Sequence, residues 1–253
     1  MKYKINYGFP LSYILIRLFL IFSITFMILG LIVFDISLFI VIIISIIVYS
    51  SYLYFFIIRF KKQFVNNRQK LFKKFVELAN LKGEEKILDL GTGSGFLAIG
   101  FAKNLTNGKS YGLDRYSLKS NSFFKEIKSI FKINFIGISV KNAKNNADFE
   151  NVKEKCEFAE HDIRKPLNFS NEFFDVVVSC QFFYCIDFKD RENVYREINR
   201  VLKKNGKIIF FESKSFKDWE IFDIKKFFEN IGYKISIVPS KDFKNCCILF
   251  GTK

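Results

Sequence analysis

The nine residues Ile87-Leu-Asp-Leu-Gly-Thr-Gly-Ser-Gly95 decide the fold of this chain. The stretch begins as a short apolar strand and ends in three glycines that alternate with Thr92 and Ser94. Glycine lets the backbone bend sharply and approach a ligand without a Cβ in the way. The helical pattern at residues 96–103 presents free N–H groups at its first turn. The stretch therefore predicts a strand, a ligand-binding loop and a helix.

Strand and helix patterns alternate along the rest of this region. The predicted strands are residues 86–90, 110–113, 155–159, 174–179, 207–211, 233–238 and 246–251, and the predicted helices are residues 96–103, 139–147, 192–202 and 221–230. This alternation predicts a seven-stranded α/β sheet that is mostly parallel. The loop between the last two strands is too short for a crossover helix, so we expect them to close the sheet as an antiparallel hairpin.

Polar residues mark the ends of four predicted strands: Asp89, Asp114, His161 with Asp162, and Ser179. In an open parallel sheet, ligands bind beyond the carboxyl ends of the strands. We therefore expect these side chains to surround one binding site.

Two other nucleotide-binding patterns are disfavoured. Residues 93–98 fit the G-x-G-x-x-A pattern of dinucleotide sites, and Asp114 follows about 20 residues later. However, Gly91 and Thr92 separate this pattern from the strand, and the carboxylate of Asp89 would repel a pyrophosphate and favour a cationic ligand. A P-loop is excluded because no Gly-Lys-Ser/Thr follows the glycines.

The five cysteines do not indicate a metal site. They are Cys156, Cys180, Cys185, Cys246 and Cys247, and none forms a C-x-x-C pair. We therefore expect no zinc or other metal. The odd number and the strand-like surroundings favour reduced, partly buried thiols of the cytosol.

Taken together, these stretches resemble the class I S-adenosylmethionine-dependent methyltransferases. The resemblance covers roughly residues 68–251 and rests on the stretches 87–95, 111–114, 160–167, 174–179 and 194–209, and on the closing hairpin. It implies a Rossmann-like methyltransferase sheet, S-adenosyl-L-methionine as the cofactor, and methyl transfer as the reaction.

The resemblance assigns the methionine side of a cofactor site to the first strand and its loop. Gly91, Gly93 and Gly95 would pack against the methionine part of the cofactor. Asp89 would face the ammonium group of the cofactor, directly or through water. Thr92 belongs to the same expected set.

The resemblance also assigns the ribose and adenine side. Asp114 would accept hydrogen bonds from both ribose hydroxyls, as the two oxygens of a carboxylate can. Asp162 would accept from the adenine amino group, while the N–H of Ile163 meets a ring nitrogen. Arg115 and Ser179 complete the expected cofactor-binding residues. A helix N-cap or a turn is the alternative role for both aspartates.

The catalytic residues are less well defined than the cofactor site. Where lipid- and quinone-methylating relatives often carry histidines after the fourth strand, this chain has Tyr184 and Cys185. Tyr184 and the single histidine, His161, are the candidate bases, although we expect His161 rather to border the adenine. Methyl transfer from a sulfonium is an in-line displacement that can run on positioning. The extra stretch 115–138 predicts a lid, a membrane-contacting helix or a packed insertion.

The amino-terminal part of the chain is strongly apolar. Residues 11–58 contain two charged side chains, Arg17 and Asp35. One membrane span needs about 20 residues, so the block is long enough for two. We expect two transmembrane helices, at about 11–33 and 37–58.

Basic residues lie on both outer sides of this block and not in its turn. Lys2 and Lys4 precede it, and lysines and arginines from Arg59 onwards follow it. The positive-inside rule then predicts a multi-pass membrane protein whose two termini and catalytic domain are cytoplasmic. The predicted domains are a transmembrane hairpin at 1–60 and a methyltransferase domain at 61–253.

Residues 59–80 form an amphipathic, basic helical pattern. This pattern predicts a helix on the membrane surface or the first helix of the catalytic domain, covering the sheet. The formal net charge of +15 is compatible with an anionic membrane, with nucleic acid or with a Lys-rich composition. Because the lysines are scattered, nucleic acid is not the expected partner.

These observations predict a membrane-anchored methyltransferase that acts on a small, hydrophobic or lipid-like acceptor. Two alternatives remain open at this point. The enzyme acts on a soluble small molecule or nucleic acid, or the chain is a non-catalytic module that binds S-adenosylmethionine.

Overall fold

The computed structural model describes residues 21, 23–25, 36–116, 139–216, 219–243 and 245–253. The helices are α1 (Ile36–Ala79), α2 (Phe96–Ala102), α3 (Val140–Phe149), α4 (Phe188–Val201) and α5 (Ile221–Asn230). The strands are β1 (Lys86–Leu90), β2 (Lys109–Asp114), β3 (Cys156–Glu160), β4 (Phe174–Cys180), β5 (Leu202–Ser213), β6 (Ser215–Phe216), β7 (Trp219–Glu220), β8 (Lys234–Pro239) and β9 (Cys246–Thr252). Most of the predicted span 11–33, the turn at Asp35 and residues 117–138 of the predicted insertion lie outside the described residues.

Seven strands form one sheet in the order β3-β2-β1-β4-β5-β9-β8. The strands β1 to β5 are parallel to one another, while β9 is antiparallel to both β5 and β8. The predicted mostly parallel sheet with a closing antiparallel hairpin is therefore confirmed. The strand order reverses at β1, so the loops after β1 and β4 lie at the switch point where doubly wound sheets bind ligands.

Alternate residues of the central strands fill two hydrophobic cores, one on each face of the sheet. Val176 and Val178 of β4 belong to one core, and Val177 belongs to the other. Successive side chains of a strand point to opposite faces, so a strand that is covered on both sides is apolar throughout. The run of valines in β4 has this cause.

The helix α1 runs without interruption through 44 residues, where we expected a membrane span at 37–58 and a distinct helix at 59–80. Residues 36–79 contain neither glycine nor proline, so no residue ends the helix where the sequence changes from apolar to basic. Leu71 and Phe75 in its last turns are buried in a core of the sheet. Among the described residues, no helix combines the length and the apolar character needed to cross a membrane.

The chain divides into two compact units. Leu71–Lys253 belongs to one unit and Phe9–Lys70 to the other. The domain limits derived from the sequence, 1–60 and 61–253, remain a prediction.

Candidate active site

The loop after β1 is built on three left-handed glycines. The φ angles of Gly91, Gly93 and Gly95 are 72°, 54° and 85°, a region that other residues adopt only at a cost. The N–H groups of Gly91 and Thr92 donate to the carbonyl oxygen of Leu113 at 2.8 and 3.1 Å. The loop therefore bends towards the end of β2 before it enters α2.

The three glycines meet different surroundings. A Cβ on Gly91 would lie 2.2 Å from Cδ2 of Phe182, and a Cβ on Gly95 would lie 2.9 Å from Cδ1 of Ile99. A Cβ on Gly93 would meet no heavy atom of the described residues within 4 Å. Protein side chains thus pack on Gly91 and Gly95, whereas Gly93 leaves room for a ligand to approach the backbone.

Asp89 stabilises the loop through hydrogen bonds of its side chain. Its carboxylate is buried, and Oδ2 accepts hydrogen bonds from Oγ1 of Thr92 at 2.7 Å and from the N–H of Ala98 at 3.2 Å. These bonds tie β1 to the loop and to the first turn of α2. The predicted contact of Asp89 with the cofactor ammonium remains a prediction. Its role in holding the loop was not predicted.

Asp114 joins the loop to the end of β2. Its Oδ2 accepts from the N–H of Gly93 at 3.0 Å, and its Oδ1 accepts from the N–H of Tyr116 at 2.8 Å. Each carboxylate oxygen can accept a second hydrogen bond. Asp114 therefore offers two acceptor oxygens beside Gly93, and its contact with the cofactor ribose remains a prediction.

Two buried polar atoms near this carboxylate have no hydrogen-bond partner among the described residues, the hydroxyl of Tyr116 and Nε2 of His161. The backbone N–H of His161 donates to the carbonyl oxygen of Asp114 at 3.0 Å, which brings the end of β3 to the end of β2. Burial, together with the carboxylates of Asp114 and Asp89, raises the pKa of Tyr116. Buried polar atoms are normally satisfied, so both atoms are open to a partner from outside the described residues. Tyr116, two residues after the predicted Asp114, was not among the predicted site residues.

Asp162 forms an ion pair that the sequence analysis did not anticipate. Arg164 donates from Nε to Oδ1 at 2.9 Å and from Nη2 to Oδ2 at 2.5 Å, and Nη1 of Arg115 lies 3.9 Å from Oδ2. Hydrogen bonding to Arg164 lowers the pKa of Asp162, so this carboxylate stays ionised at neutral pH. The neighbouring Ile163 is buried. The adenine contacts assigned to Asp162 and Ile163 remain predictions.

The segment after β4 contacts the glycine loop through Phe182, whose ring lies beside Gly91. Ser179 is fully buried, and Phe183, Tyr184 and Cys185 form a single turn of 3₁₀-helix. Burial raises the pKa of Tyr184 to about 12, so its hydroxyl stays protonated at neutral pH. The structure thus places Tyr184 next to the strand ends but does not prepare it as a base.

Glu212 at the end of β5 is a buried carboxyl that the sequence analysis missed. It has no exposed surface, and burial raises its pKa to about 8. Its Oε1 accepts from the N–H of Phe182 at 2.8 Å and lies 3.4 Å from Oγ of Ser179. The signal in the sequence was a single acidic residue directly after the apolar run 207–211.

No group of three or more His, Cys, Asp or Glu side chains within the described ranges could hold a metal ion. None of the five cysteines, all of which lie in the described ranges, forms a disulfide, and Cys247 is buried. Hydrogen-bond acceptors, backbone N–H groups and apolar rings make up the site.

S-adenosylmethionine fits this end of the sheet on three observations. The open side of Gly93 admits a ligand to the loop. The carboxylate of Asp114 offers two acceptor oxygens. Tyr116 and His161 each hold a buried polar atom that has no partner within the described part of the chain. S-adenosylmethionine consists of an amino acid, a ribose and a purine. The Gly93 backbone, the two oxygens of Asp114 and the polar atoms of Tyr116 and His161 offer contacts in the same order.

Comparisons with known proteins agree with this geometry. The sequence profile of the methyltransferase domain family matches residues 88–210. An S-adenosylmethionine-dependent methyltransferase from Aquifex aeolicus has a TM-score of 0.54 and 17% identity, with 72% of this chain and 88% of that chain covered. YcgJ from Bacillus subtilis has a TM-score of 0.51 and 14% identity, with 72% of this chain and 97% of that chain covered. The [4+2]-cyclase SpnF has a TM-score of 0.54 and 16% identity, with 73% of this chain and 80% of that chain covered. Among curated proteins, none matches the sequence of this chain.

At these identities, the likeness to solved structures establishes the Rossmann-like methyltransferase fold. The matched family segment extends from β1 into β5 and includes the glycine loop, Asp114 and Asp162. The family segment, the fold and the fit of the cofactor lead to one conclusion. Residues 88–210 form a methyltransferase domain within this fold, and S-adenosylmethionine is its cofactor.

Proposed function

We propose that this methyltransferase is anchored to a membrane and methylates a small hydrophobic or lipid-like acceptor there. The observation that carries the proposal is the apolar surface of α1. Ten of its aliphatic and aromatic residues expose between 46 and 68% of their surface: Ile40, Ile44, Ile47, Val48, Tyr49, Tyr52, Tyr54, Phe55, Phe56 and Ile58. Contiguous apolar surface of this kind is rare on soluble monomers and is typical of interaction or membrane surfaces.

The charges that follow the apolar surface support the same proposal. Basic residues, beginning with Arg59, Lys61 and Lys62, continue along α1 to Lys74. Lysines and arginines near anionic headgroups contribute about 1 kcal/mol each. An apolar surface followed by basic residues is the combination that holds proteins at the membrane interface.

The two-span topology belongs to this proposal as well. It rests on the length of the apolar block 11–58 and on the basic residues outside it. In this arrangement both termini and the catalytic domain are cytoplasmic. A reporter inserted at Asp35 tests it: labelling from the outer side of the membrane supports two spans, and labelling only from the cytoplasmic side refutes them.

The chemistry requires orientation more than acid–base catalysis. When bound, S-adenosylmethionine supplies a methyl group on a positively charged sulfur. The chain orients the reactants through the Gly93 backbone and the Asp114 carboxylate, and it excludes water with the Phe182 ring beside Gly91. Tyr184 keeps its proton at neutral pH because burial raises its pKa to about 12. The proposal therefore favours an acceptor whose nucleophile is an amine, a thiolate or an acidic hydroxyl.

The experiment compares the wild-type chain with a variant of the α1 surface, Val48→Ser/Phe55→Ser/Phe56→Ser. The matched control is Phe149→Ser/Phe222→Ser, which removes exposed phenylalanines (51% and 64% exposed) from the catalytic domain. Vesicles of phosphatidylcholine and phosphatidylglycerol are sedimented with each protein. Methyl-labelled S-adenosylmethionine is then supplied with membrane extract, and label is counted in the lipid and aqueous fractions.

We expect the α1 variant to lose at least tenfold in co-sedimentation and in label transferred to the lipid fraction. The control should behave like the wild type, and all three proteins should bind S-adenosylhomocysteine equally. Label that appears mainly in a water-soluble product, equally with all proteins, would refute the membrane acceptor and favour a soluble substrate. Label in added nucleic acid would favour the nucleic-acid alternative. Cofactor binding without any transfer would favour a non-catalytic module.

A further inference from the structure

Glu212 lies at the carboxyl end of β5, between β4 and β9. Phe211 pairs with Cys180 of β4, and Glu212 pairs with Cys247 of β9. The side chain has no exposed surface. A carboxyl in the middle of a sheet, on the side where ligands bind, is costly to bury and needs a reason.

One oxygen of this carboxyl carries all of its hydrogen bonds. Oε1 accepts from the N–H of Phe182 at 2.8 Å and from the N–H of Phe183 at 3.4 Å, and Oγ of Ser179 lies 3.4 Å away. Oε2 is buried and has no hydrogen-bond partner among the described residues. Glu212 thus fixes the backbone directly after β4 and keeps its second oxygen unpaired.

The backbone held by Glu212 carries Phe182, which contacts the cofactor loop, and Phe183, which is buried in the core. The ring of Phe182 lies so close to Gly91 that a Cβ there would approach Cδ2 to 2.2 Å. The ring of Phe183 packs at 4.8 Å from that of Phe210. Gln181, just before them, has a φ of 56°, a strained conformation for this residue type that its surroundings must hold in place.

We propose that Glu212 is a positioning residue for methyl transfer, which holds Phe182 and the following turn against the Gly91–Gly95 loop. The carboxyl touches neither the cofactor nor the reacting atoms in this role. It acts through the Phe182 and Phe183 N–H groups, and so it connects the acceptor side of the site to the cofactor loop. The inference rests on the methyltransferase activity and is independent of the nature of the acceptor.

The protonation of Glu212 provides a specific signature of this role. Burial raises its pKa to about 8, although the hydrogen bonds from Phe182, Phe183 and Ser179 lower the pKa in part. The titratable groups that face it are Tyr184 in the turn after β4, Tyr195 in α4, and Cys246 and Cys247 in β9, and the pKa of each is raised above its ordinary value. These four groups are therefore neutral at pH 8, where Glu212 changes its charge.

Both forms of the carboxyl can accept hydrogen bonds on Oε1. Ionisation leaves a charged Oε2 buried without a donor, which the fold relieves only if the segment moves or water enters. We therefore expect the position of Phe182, and with it the affinity of the cofactor loop, to change as the pH rises through 8. A glutamine keeps the acceptor oxygen and removes the titration.

The test is calorimetric binding of S-adenosylhomocysteine to the full chain between pH 6 and 9. The variants are Glu212→Gln and Glu212→Leu. The matched control is Glu85→Leu, which also removes a carboxylate that accepts two backbone N–H groups, those of Lys82 and Gly83, but just before β1 at the opposite end of the sheet. Amide hydrogen exchange of Phe182 and Phe183 is measured on the same proteins.

We expect the wild type to lose at least threefold in affinity between pH 7 and 9. The affinity of Glu212→Gln should match that of the wild type within twofold at pH 6.5 and should not change at higher pH. Glu212→Leu should bind at least fivefold more weakly at every pH and exchange the Phe182 amide at least tenfold faster. Glu85→Leu should keep the wild-type pH profile and the wild-type exchange at Phe182.

Two results would overturn the inference. One is a Glu212→Gln protein that retains the pH dependence of the wild type, which remains measurable even if Glu212→Leu does not fold. The other is a folded Glu212→Leu protein with wild-type affinity and wild-type exchange at Phe182. Because S-adenosylhomocysteine binding needs no acceptor, either result is separate from a failure to methylate lipid.

Discussion

The two sides of the site differ in how far apart in sequence their contacts are. On the β1–β3 side, Asp89 bonds to Thr92 three residues away, and Asp114 bonds to Gly93 across 21 residues. On the β4–β5 side, Glu212 bonds to Phe182 across 30 residues. The side-chain contacts of the first side join residues that the resemblance to methyltransferases names, whereas the contact of Glu212 with Phe182 joins residues that no sequence motif connects.

This difference separates two kinds of function in one fold. The β1–β3 side presents glycines, carboxylates and unpartnered polar atoms, which suit a polar, charged cofactor. The β4–β5 side presents the Phe182 ring on a backbone held by one buried carboxyl, with the Phe183 ring buried in the core behind it. We infer that the first side defines the cofactor and the second side shapes the approach of the acceptor.

The largest expected effect is at the contact between the two sides. Gly91→Ala forces a Cβ towards the Phe182 ring and adds a left-handed alanine, so we expect the free energy of unfolding to fall by about 2–5 kcal/mol. Gly93→Ala meets no neighbour and should cost only about 1–2 kcal/mol. Urea denaturation measures both. An equal loss for the two variants would contradict the contact of Phe182 with Gly91.

The second prediction concerns pH and the β4–β5 side. The folded-state pKa of Glu212, about 8, lies above the ordinary 4.5, so between these values the folded protein holds a proton that the unfolded chain has lost. The contribution of Glu212 to stability is therefore fully present below pH 4.5 and decreases as the pH rises to 8, by about 1 kcal/mol per pH unit.

Glu212→Gln should remove this decrease. Denaturation of wild type and variant at pH 5, 6.5 and 8 measures it, and the stability difference between the two proteins should change steadily over this range. A difference that stays constant with pH would show that Glu212 does not bind a proton on folding.

The third prediction concerns the β1–β3 side. Asp114→Ala removes the acceptor of the Gly93 N–H and the acceptors expected for the ribose, and hydrogen bonds to a charged group are worth about 1.5–3 kcal/mol each. S-adenosylmethionine affinity should fall at least tenfold by calorimetry. Asp148→Ala, at an exposed aspartate in α3, is the control and should bind normally. Unchanged binding by Asp114→Ala would refute the ribose assignment.

The smallest expected effect is at the Asp162–Arg164 ion pair. Both side chains are partly exposed, so Arg164→Ala should lower stability at pH 7 by about 1 kcal/mol or less. The pKa of Asp162 is lowered by its arginine partner, and its contribution is therefore present at neutral pH and lost as the pH falls. The variant should show a weaker loss of stability on acidification, and a stronger one would contradict the pairing.

The fold was predictable because its signals are local. The apolar runs that become β1, β4 and β9 are bounded by glycines and polar residues, and their order alone gives the parallel sheet. Errors occurred where tertiary pairing overrides local signals. The strand predicted at 207–211 begins earlier, at Leu202, which is buried and pairs with Phe174 of β4.

The site was predictable in part for the same reason. Asp114 and Gly93 were predicted because the resemblance to methyltransferases names both. Glu212 and Tyr116 were missed, since an acidic residue after a strand and a tyrosine after an aspartate carry no pattern of their own. Their importance comes from burial without a partner, which only the packed structure reveals.

A crystal structure of the full chain with S-adenosylhomocysteine tests the central claim most directly. The account predicts that the amino-acid part of the ligand lies against the Gly93 backbone and that the ribose hydroxyls lie within hydrogen-bond distance of Asp114. The Phe182 ring should remain over Gly91. A ligand bound elsewhere, or one whose ribose does not touch Asp114, would contradict the account.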